Sequence, residues 1–398
     1  MKKLTIIFAA ALCAIMTACT VTNDFSNKEL LSRDVKRRTD STVTYNYADG
    51  AHTPPSSYNN FANTATAFSL KLLRRSYNSE AFSLAPMNCL LQLGLLANGA
   101  KNDTRSEILL ALGSELGMDA FNTCCSYFKS RMNNVGKIFQ FEQDHTKESA
   151  QTLTMSGALL INDQTDVRSS FLQTNADFYG DDVICYNFSS GADKLKSYLS
   201  SDKMTLDGDD FMASYSFLTL SDSWLNRSLN AEEMYMRSDT AHGIIKYTSA
   251  NPIKALFIMP DVNFDKFVKA FDSVVYNKLL DSVDVTRRRA ASIPEFRTCA
   301  AENELSPVLQ TLGLHTIWDE NNAAFTNLTY DESPALSLFY DSTPPFSVTA
   351  QGLDTSAADA VYTATDNNTD AEWHFDKPFI FMLVDNETNI PIYISTIQ

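Results

Sequence analysis

Apolar residues in the first third of the chain recur at helical spacing. Phe61, Ala65, Phe68 and Leu72 follow the i, i+4, i+7, i+11 pattern of an amphipathic helix. The stretch 87–97 is apolar on nearly every side, which indicates a helix buried inside a large domain. Further helices are predicted at 104–112, 118–135, 167–179, 264–280 and 304–312.

Strand patterns dominate the last quarter of the chain. A short strand and turn are predicted at 80–86, and strands at 152–161, 211–220, 255–259, 290–296, 335–340, 346–349, 379–384 and 390–397. Helices and strands do not alternate strictly along the chain. We therefore predict an α+β fold, a single domain over residues 60–398 whose mainly N-terminal helices pack on large mixed β-sheets.

One helix start has a specific sequence signal. Thr104-Arg-Ser-Glu107 has the spacing of a capping box, and Gly113 marks the expected end of the helix. We expect the Thr104 hydroxyl to accept a hydrogen bond from the Glu107 N–H, and the Glu107 side chain to reach back to Thr104.

The N-terminus predicts export. Lys2 and Lys3 precede an apolar run of residues 4–16, which is too short to span a bilayer and typical of a signal peptide over residues 1–18. Met16-Thr-Ala-Cys19 resembles a bacterial lipobox, which implies acylation of Cys19 and anchoring at the bacterial outer membrane or cell surface. The alternative is an ordinary signal peptide and a periplasmic or secreted protein. Residues 19–59, rich in Ser, Thr, Asn and Asp, are expected to form a flexible tether.

The composition argues against several function classes. There are 32 Lys and Arg against 48 Asp and Glu, and this net charge of −16 disfavours binding to nucleic acid or to anionic lipid surfaces. The five histidines lack metal-ligand spacing, and no nucleotide-binding or hydrolase motif is present. The sequence thus predicts no metal, no cofactor and no catalytic residues.

Four ordered blocks of sequence carry a family resemblance. The first is Phe82 to Thr104, with Asn98-Gly-Ala-Lys101 before the predicted capping box; the others span 159–188, 292–325 and 376–398. In this order and spacing the blocks resemble the serpin family. The resemblance covers roughly residues 60–398.

The resemblance implies an inhibitor rather than an enzyme. In this family a target protease attacks an exposed loop near the C-terminus and forms an acyl-enzyme. The N-terminal half of the loop then inserts into the central sheet as a new strand, and the trapped protease is distorted. Here the loop would lie between Gly352 and Pro378, and the expected partner is a serine or cysteine protease.

The resemblance also assigns roles within this loop. Its hinge would contain Gly352, Leu353, Thr355, Ser356, Ala357 and Ala358, which are mostly small, as a segment sliding into a sheet requires. Spacing from Gly352 places the reactive bond at Asp366–Asn367. Spacing back from Pro378 gives Asn367–Asn368, and Thr365–Asp366 remains a further alternative. Asp366 would suit a protease with a basic pocket, and Thr365 an elastase-like enzyme.

Several positions depart from the family pattern. Alternation from Leu353 would bury Asp359 beneath the sheet after insertion, whereas a one-residue slip would expose it. The family's polar "shutter" cluster, which controls sheet opening, maps to Ala85, Asn88, Ser216 and Ser342, without its usual Asn and His. Trp224 matches the family's Trp near the top of the sheet. The departures favour a second reading, a non-inhibitory serpin-like surface binding protein.

Overall fold

The computed structural model describes residues 25–38, 53–133, 152–190, 192–199, 205–226, 228–249, 252–331, 334–355 and 371–398. The helices are α1 Tyr58–Ser76, α2 Pro86–Gly99, α3 Asn102–Leu112, α4 Met118–Met132, α5 Ser169–Phe178, α6 Ala192–Leu199, α7 Phe264–Ala270, α8 Ser273–Asp281 and α9 Ser306–Thr311, with a 3₁₀ turn at Thr316–Trp318. The strands are β1 Phe82–Leu84, β2 Thr152–Asn162, β3 Asp182–Tyr186, β4 Met212–Ser223, β5 Asn230–Arg237, β6 Ala241–Tyr247, β7 Ile253–Pro260, β8 Arg289–Ser292, β9 Phe296–Arg297, β10 Ala301–Glu304, β11 Leu336–Thr343, β12 Ser347–Val348, β13 Gly352–Asp354, β14 Trp373–His374, β15 Phe379–Asp385 and β16 Pro391–Ile397.

The strands form two large sheets. The first is centred on β4, with β2 and then β3 on one side, and β11 and β10 on the other. Beyond the end of β11, the order continues from β4 through β13 and β12 to β9. The second sheet has the order β1-β16-β15-β7-β6-β5-β8-β14. Both parallel and antiparallel pairs occur in the first sheet, which confirms the prediction of a large mixed sheet.

The main core lies between the sheets and the N-terminal helices. Helix α2 is buried at every position except Asn98, and Pro86 occupies its first turn, where a missing N–H leaves no hydrogen bond unmade. All seven residues of β15 are buried as well. The predictions of a helix buried inside a large domain and of one α+β domain are confirmed.

The capping-box prediction is wrong. Helix α3 begins at Asn102, so Thr104 already lies inside its first turn. The Thr104 hydroxyl accepts a hydrogen bond from the Ala324 N–H at 2.9 Å, and Glu107 accepts from the N–H groups of His315 and Thr316 at 2.8 Å each. Both side chains therefore bind the neighbouring loop at 315–324, whose N–H groups take the place of the local N–H donors of the helix.

The helix predicted at 264–280 is two helices. Asp272 separates α7 from α8, and its carboxylate accepts hydrogen bonds from the N–H groups of Val274 and Val275 at 3.0 Å. This is the geometry of an N-terminal cap, which starts a new helix rather than continuing the old one.

Residues 25–38, which we call the strap, lie along the outer edge of the first sheet. The Leu31 N–H donates to the Val183 carbonyl at 2.9 Å, and the Cys185 N–H donates to the Glu29 carbonyl at 2.7 Å. At the end of the strap, Arg38 forms an ion pair with the buried carboxylate of Asp177 on α5. Although a flexible tether was expected over residues 19–59, this part of it is packed on the domain and covers an edge strand.

Residues 1–18 and Cys19 lie outside the described residues. Within the ranges given above, no helix combines the length and the apolar character needed to cross a membrane.

Candidate functional site

Strand β4 is paired differently in its two halves. Residues 212–217 pair in parallel with residues 336–342 of β11, a contact that we call the seam. Residues 221–223 pair antiparallel with β13 instead. Two prolines, Pro344 and Pro345, follow β11; they lack the N–H groups needed to continue a ladder, so the chain leaves β4 at this point. The space that opens between β4 and β12 is filled by β13.

β12 and β13 form a tight hairpin that carries the predicted hinge. The Thr349 N–H donates to the Gly352 carbonyl at 3.0 Å, and the Ala350 N–H donates to the Glu295 carboxylate at 2.9 Å. Trp224, at the upper end of β4, donates its indole N–H to the Thr349 carbonyl at 2.7 Å. The turn is thereby fixed to the end of β4 near Ser223, which we call the top of the sheet. The family resemblance predicted that Trp224 lies at this end.

Three predicted hinge residues already lie within the sheet. Gly352 is paired with Ser223, and Leu353 is paired with Asp222 and buried in the core beneath. The Thr355 N–H donates to the Leu220 carbonyl at 2.9 Å, while the Thr355 hydroxyl accepts from the Leu220 N–H at 3.0 Å. The hydroxyl thus takes the place of a backbone carbonyl, and the described part of the inserted segment ends here.

The other predicted loop residues lie outside the described residues, which stop at Thr355 and resume at 371. They are Ser356, Ala357, Ala358, Asp359, Thr365, Asp366, Asn367 and Asn368. On the far side, β14 pairs in parallel with β8 through Trp373 and His374. The Trp373 ring packs against His242, with ring centroids 4.7 Å apart. Both ends of the predicted loop are therefore fixed, one in each sheet.

A buried carboxyl group bridges the seam beneath the sheet. Asp341 on β11 accepts a hydrogen bond from the Ser216 hydroxyl on β4 at 3.0 Å, and another from the Ala85 N–H at the start of α2 at 3.1 Å. Its side chain is fully buried, and burial raises the pKa of Asp341 to about 7 although both hydrogen bonds lower it. Sequence analysis identified Ala85 and Ser216 but missed the residue that joins them.

The prediction that Ser342 belongs to this polar cluster beneath the sheet is wrong. Alternation from Leu336 would place Ser342 on the inner face, but a register irregularity between Leu336 and Leu338 shifts the face by one residue. Phe339 and Asp341 consequently face α2, and Ser342 faces the other side.

Asn88 and Gln92 lie on the same side of α2 as Ala85. Gln92 accepts a hydrogen bond from the Ser214 hydroxyl at 3.0 Å and donates to Asp181 at 2.7 Å. Asn88 is 2% exposed, yet neither its amide nitrogen nor its oxygen has a hydrogen-bond partner among the described residues. Of the positions to which the shutter cluster maps, Ser216 therefore bonds Asp341, whereas Asn88 has no hydrogen-bond partner among the described residues.

Metal binding has no candidate site in the described part of the chain. No group of three or more His, Cys, Asp or Glu side chains there is arranged to hold an ion. The functional features are the strand pairings of the hinge and the polar contacts under the seam.

Comparison with known proteins agrees with this architecture. The family model described as Serpin (serine protease inhibitor) matches residues 63–198 and 230–398. An alpha-1-antiproteinase of Rattus norvegicus is 21% identical over 378 residues, which cover 85% of this chain and 88% of that protein. The unmatched stretch between the two family segments contains β4 and Trp224.

Solved structures share the fold. The thermophilic serpin tengpin in its native state superposes with a TM-score of 0.71 at 20% identity, covering 92% of this chain and 98% of tengpin. A complex of thyroxine-binding globulin with thyroxine gives a TM-score of 0.67 at 16% identity, covering 85% and 98% of the two chains. Because the family model spans most of the sequence, this chain belongs to the serpin family.

Proposed function

We propose that this serpin inhibits a serine or cysteine endopeptidase by loop cleavage and strand insertion. The observation that carries the proposal is the position of β13. Its residues already pair with the upper end of β4, while the lower part of β4 remains paired with β11. A strand entering from above would continue β13 downward and part β4 from β11.

The register of β13 specifies where each loop residue would go. Gly352 lies opposite Ser223, and each later loop residue would lie opposite the preceding residue of β4. Ala357 would then lie opposite the inward-facing Leu218, and Ala358 opposite Phe217, which is only partly buried. Small residues at these positions fit a segment that must enter a closing sheet.

If the same register continued, insertion would bring Asp359 opposite Ser216, on the face that carries Asp341. An unpaired carboxylate beneath a sheet is unfavourable by several kcal/mol unless it takes up a proton. This position favours the second candidate function, a non-inhibitory serpin-like surface binding protein. Thyroxine-binding globulin, a fold relative, is itself described in complex with a small molecule.

The proposal extends to location. Residues 1–18 would be removed as a signal peptide, and Cys19 would carry a lipid that anchors the protein in the bacterial outer membrane or at the cell surface. The packing of the strap supports a close attachment, because only residues 20–24 then separate the lipidated Cys19 from Phe25, a span of at most about 20 Å. Mass spectrometry of the mature N-terminus tests this part, and an unmodified N-terminus at another residue would contradict it.

The proposed reactive bond remains Asp366–Asn367, with Thr365–Asp366 and Asn367–Asn368 as alternatives. We therefore propose a panel of trypsin-, chymotrypsin-, elastase- and Asp-directed proteases. Inhibition predicts a covalent complex that survives SDS, and loop cleavage predicts a large rise in the melting midpoint. Sequencing the C-terminal fragment, separated from the rest of the chain under denaturing conditions, identifies the bond. Cleavage with neither a complex nor a rise would favour the binding protein.

A pair of variants in the hinge makes the test specific to insertion. Ala357→Arg would place a charged side chain under the sheet and should convert the inhibitor into a substrate. Ala358→Arg adds the same side chain on the other face and should retain complex formation. The reverse result would show that the inserted register is slipped by one residue.

A further inference from the structure

Asp341 is placed to respond to the parting of the seam. It belongs to β11, and one of its two hydrogen-bond donors, Ser216, belongs to β4. Its other donor, the Ala85 N–H, lies immediately before α2, a helix that packs against β4. Insertion of a strand would separate β4 from β11 by about 4.8 Å more, the width of one added strand, and would break the Ser216 bond.

Within the described ranges, no cation compensates the charge of this carboxyl group. Ser216 faces it from β4, and Asn303 lies opposite it on β10, with its amide donating to the Ser83 carbonyl at 2.8 Å. From α2, the titratable neighbour is Cys89, whose thiol pKa is raised by burial and by the charge of Asp341. Among the described residues, no Lys, Arg or His forms an ion pair with Asp341.

We propose that Asp341 is a proton-operated latch on the seam, closed when the carboxyl group is ionised and released when it is protonated, so that strand insertion is faster in acid. This inference rests on the proposed function, because it concerns the rate of the insertion step.

The direction of this pH effect follows from the interactions that each protonation state of Asp341 loses when the seam opens. An ionised Asp341 would be left in a buried site with one donor instead of two, and an under-solvated charge is strongly unfavourable there. A neutral carboxyl group loses only an ordinary hydrogen bond. The open sheet therefore binds the proton more tightly than the closed one. Burial has already raised the pKa of Asp341 to about 7, so the proton is available near neutral pH.

The expected register of the inserted strand also favours faster insertion in acid. Asp359 would arrive on the face that carries Asp341, and two neighbouring carboxyl groups on one buried face favour protonation of at least one of them. A test of the latch itself must therefore separate Asp341 from Asp359.

A synthetic peptide of residues 353–366, with Ala in place of Asp359, provides that separation. Its annealing into the intact mature protein is followed by native gel and tryptophan fluorescence from pH 5 to pH 9. We expect the wild-type rate to be constant below about pH 7 and to fall above it, by up to tenfold per pH unit because one proton is involved. Asp341→Asn should anneal rapidly, with a rate that varies less than twofold over the whole range.

Two serine variants form a matched pair. Ser216→Ala removes the donor that spans the seam, and should speed annealing at pH 8 to 9 and move the pH profile upward. Ser214→Ala removes a hydrogen bond of the same length, to Gln92 on α2, that does not reach β11, and should behave like the wild type. Melting curves before annealing establish that each variant is folded.

The possible failures are distinguishable. If Asp341→Asn keeps the wild-type pH profile, or the wild-type rate is independent of pH, the latch is refuted while the inhibitory function stands. If no variant anneals the peptide at any pH and loop cleavage leaves the melting midpoint unchanged, the proposed function fails and the latch fails with it.

Discussion

Gly352 lies directly against Asp222 in the hinge, with no room for a β-carbon between them. An added methyl group would overlap the Asp222 carbonyl oxygen and lie 2.7 Å from the Cα of Ser223. Since the obstruction is backbone rather than a flexible side chain, it cannot move aside without displacing β4. The start of the inserted strand is thus open only to glycine.

We therefore predict that Gly352→Ala expels the hinge from the sheet and slows insertion. The protein should still be cleaved in its loop, but a smaller fraction of cleavage events should end in a covalent complex. Densitometry of complex against cleaved inhibitor measures this partition. Gly117→Ala is the matched control, because an added β-carbon there meets no atom within 4 Å; equal partition in both variants would contradict the prediction.

Replacing Asn88 with an apolar residue should stabilise the protein. The buried amide of Asn88 has no partner, and an unsatisfied buried polar group is unfavourable by about 1–3 kcal/mol. Asn88→Leu, which keeps the number and branching of the side-chain heavy atoms but has no polar atom, should raise the free energy of unfolding by about that amount. Urea unfolding of the uncleaved protein provides the measurement.

Asn122 supplies the comparison for this change. It is equally buried, but it accepts a hydrogen bond from the Tyr179 hydroxyl at 2.8 Å and exchanges further bonds with Asn98. Asn122→Leu should therefore destabilise the protein. If both substitutions change the free energy of unfolding in the same direction, the missing hydrogen bonds of the Asn88 amide do not determine its effect on stability.

Part of this site was predictable from the sequence. A stretch that is apolar on nearly every side indicated α2, and the family resemblance indicated the hinge, of which Gly352, Leu353 and Thr355 lie among the described residues. What sequence reasoning missed was Asp341, because the irregularity near Leu338 changes which face of β11 is buried. The family resemblance assigned the inner position to Ser342, and strict alternation from Leu336 would agree with it, so neither reveals the shift.

Other errors have a similar physical origin. The spacing of Thr104 and Glu107 satisfies the capping-box rule, but their oxygens are used by the loop at 315–324, far away in sequence. β5 was not predicted because its polar, partly exposed residues lack a clear alternation. The strap is polar in composition, yet Phe25 and Leu30 are enough to bury one side of it. Local sequence patterns do not contain these tertiary partners.

The pKa of Asp341 predicts a pH dependence of native stability. The folded protein holds this proton up to about pH 7, whereas the ordinary value for the unfolded chain is 3.8. Between these values the folded state binds more protons, so the contribution of Asp341 to stability is full below about pH 4 and is lost as the pH rises through 7.

The difference in the free energy of unfolding between the wild type and Asp341→Asn isolates this contribution. It should change by at most about 1.4 kcal/mol per pH unit between pH 4 and pH 7, with the variant gaining relative stability as the pH rises. Urea unfolding of both proteins at each pH gives the difference. A constant difference across the range would show that Asp341 titrates as an ordinary carboxyl group.

The last prediction concerns the ion pair that joins α4 to the end of β15. The Arg131 guanidinium and the Asp385 carboxylate are 2.8 Å apart, and their side chains are 1% and 0% exposed. Arg131→Met would leave Asp385 buried without its partner, which should lower the free energy of unfolding by about 3–5 kcal/mol. Lys278 and Asp239 form an exposed pair at 2.6 Å, so Lys278→Met should change stability by no more than about 1 kcal/mol. Equal effects of the two substitutions, measured by urea unfolding, would show that water reaches the Arg131 site and screens it.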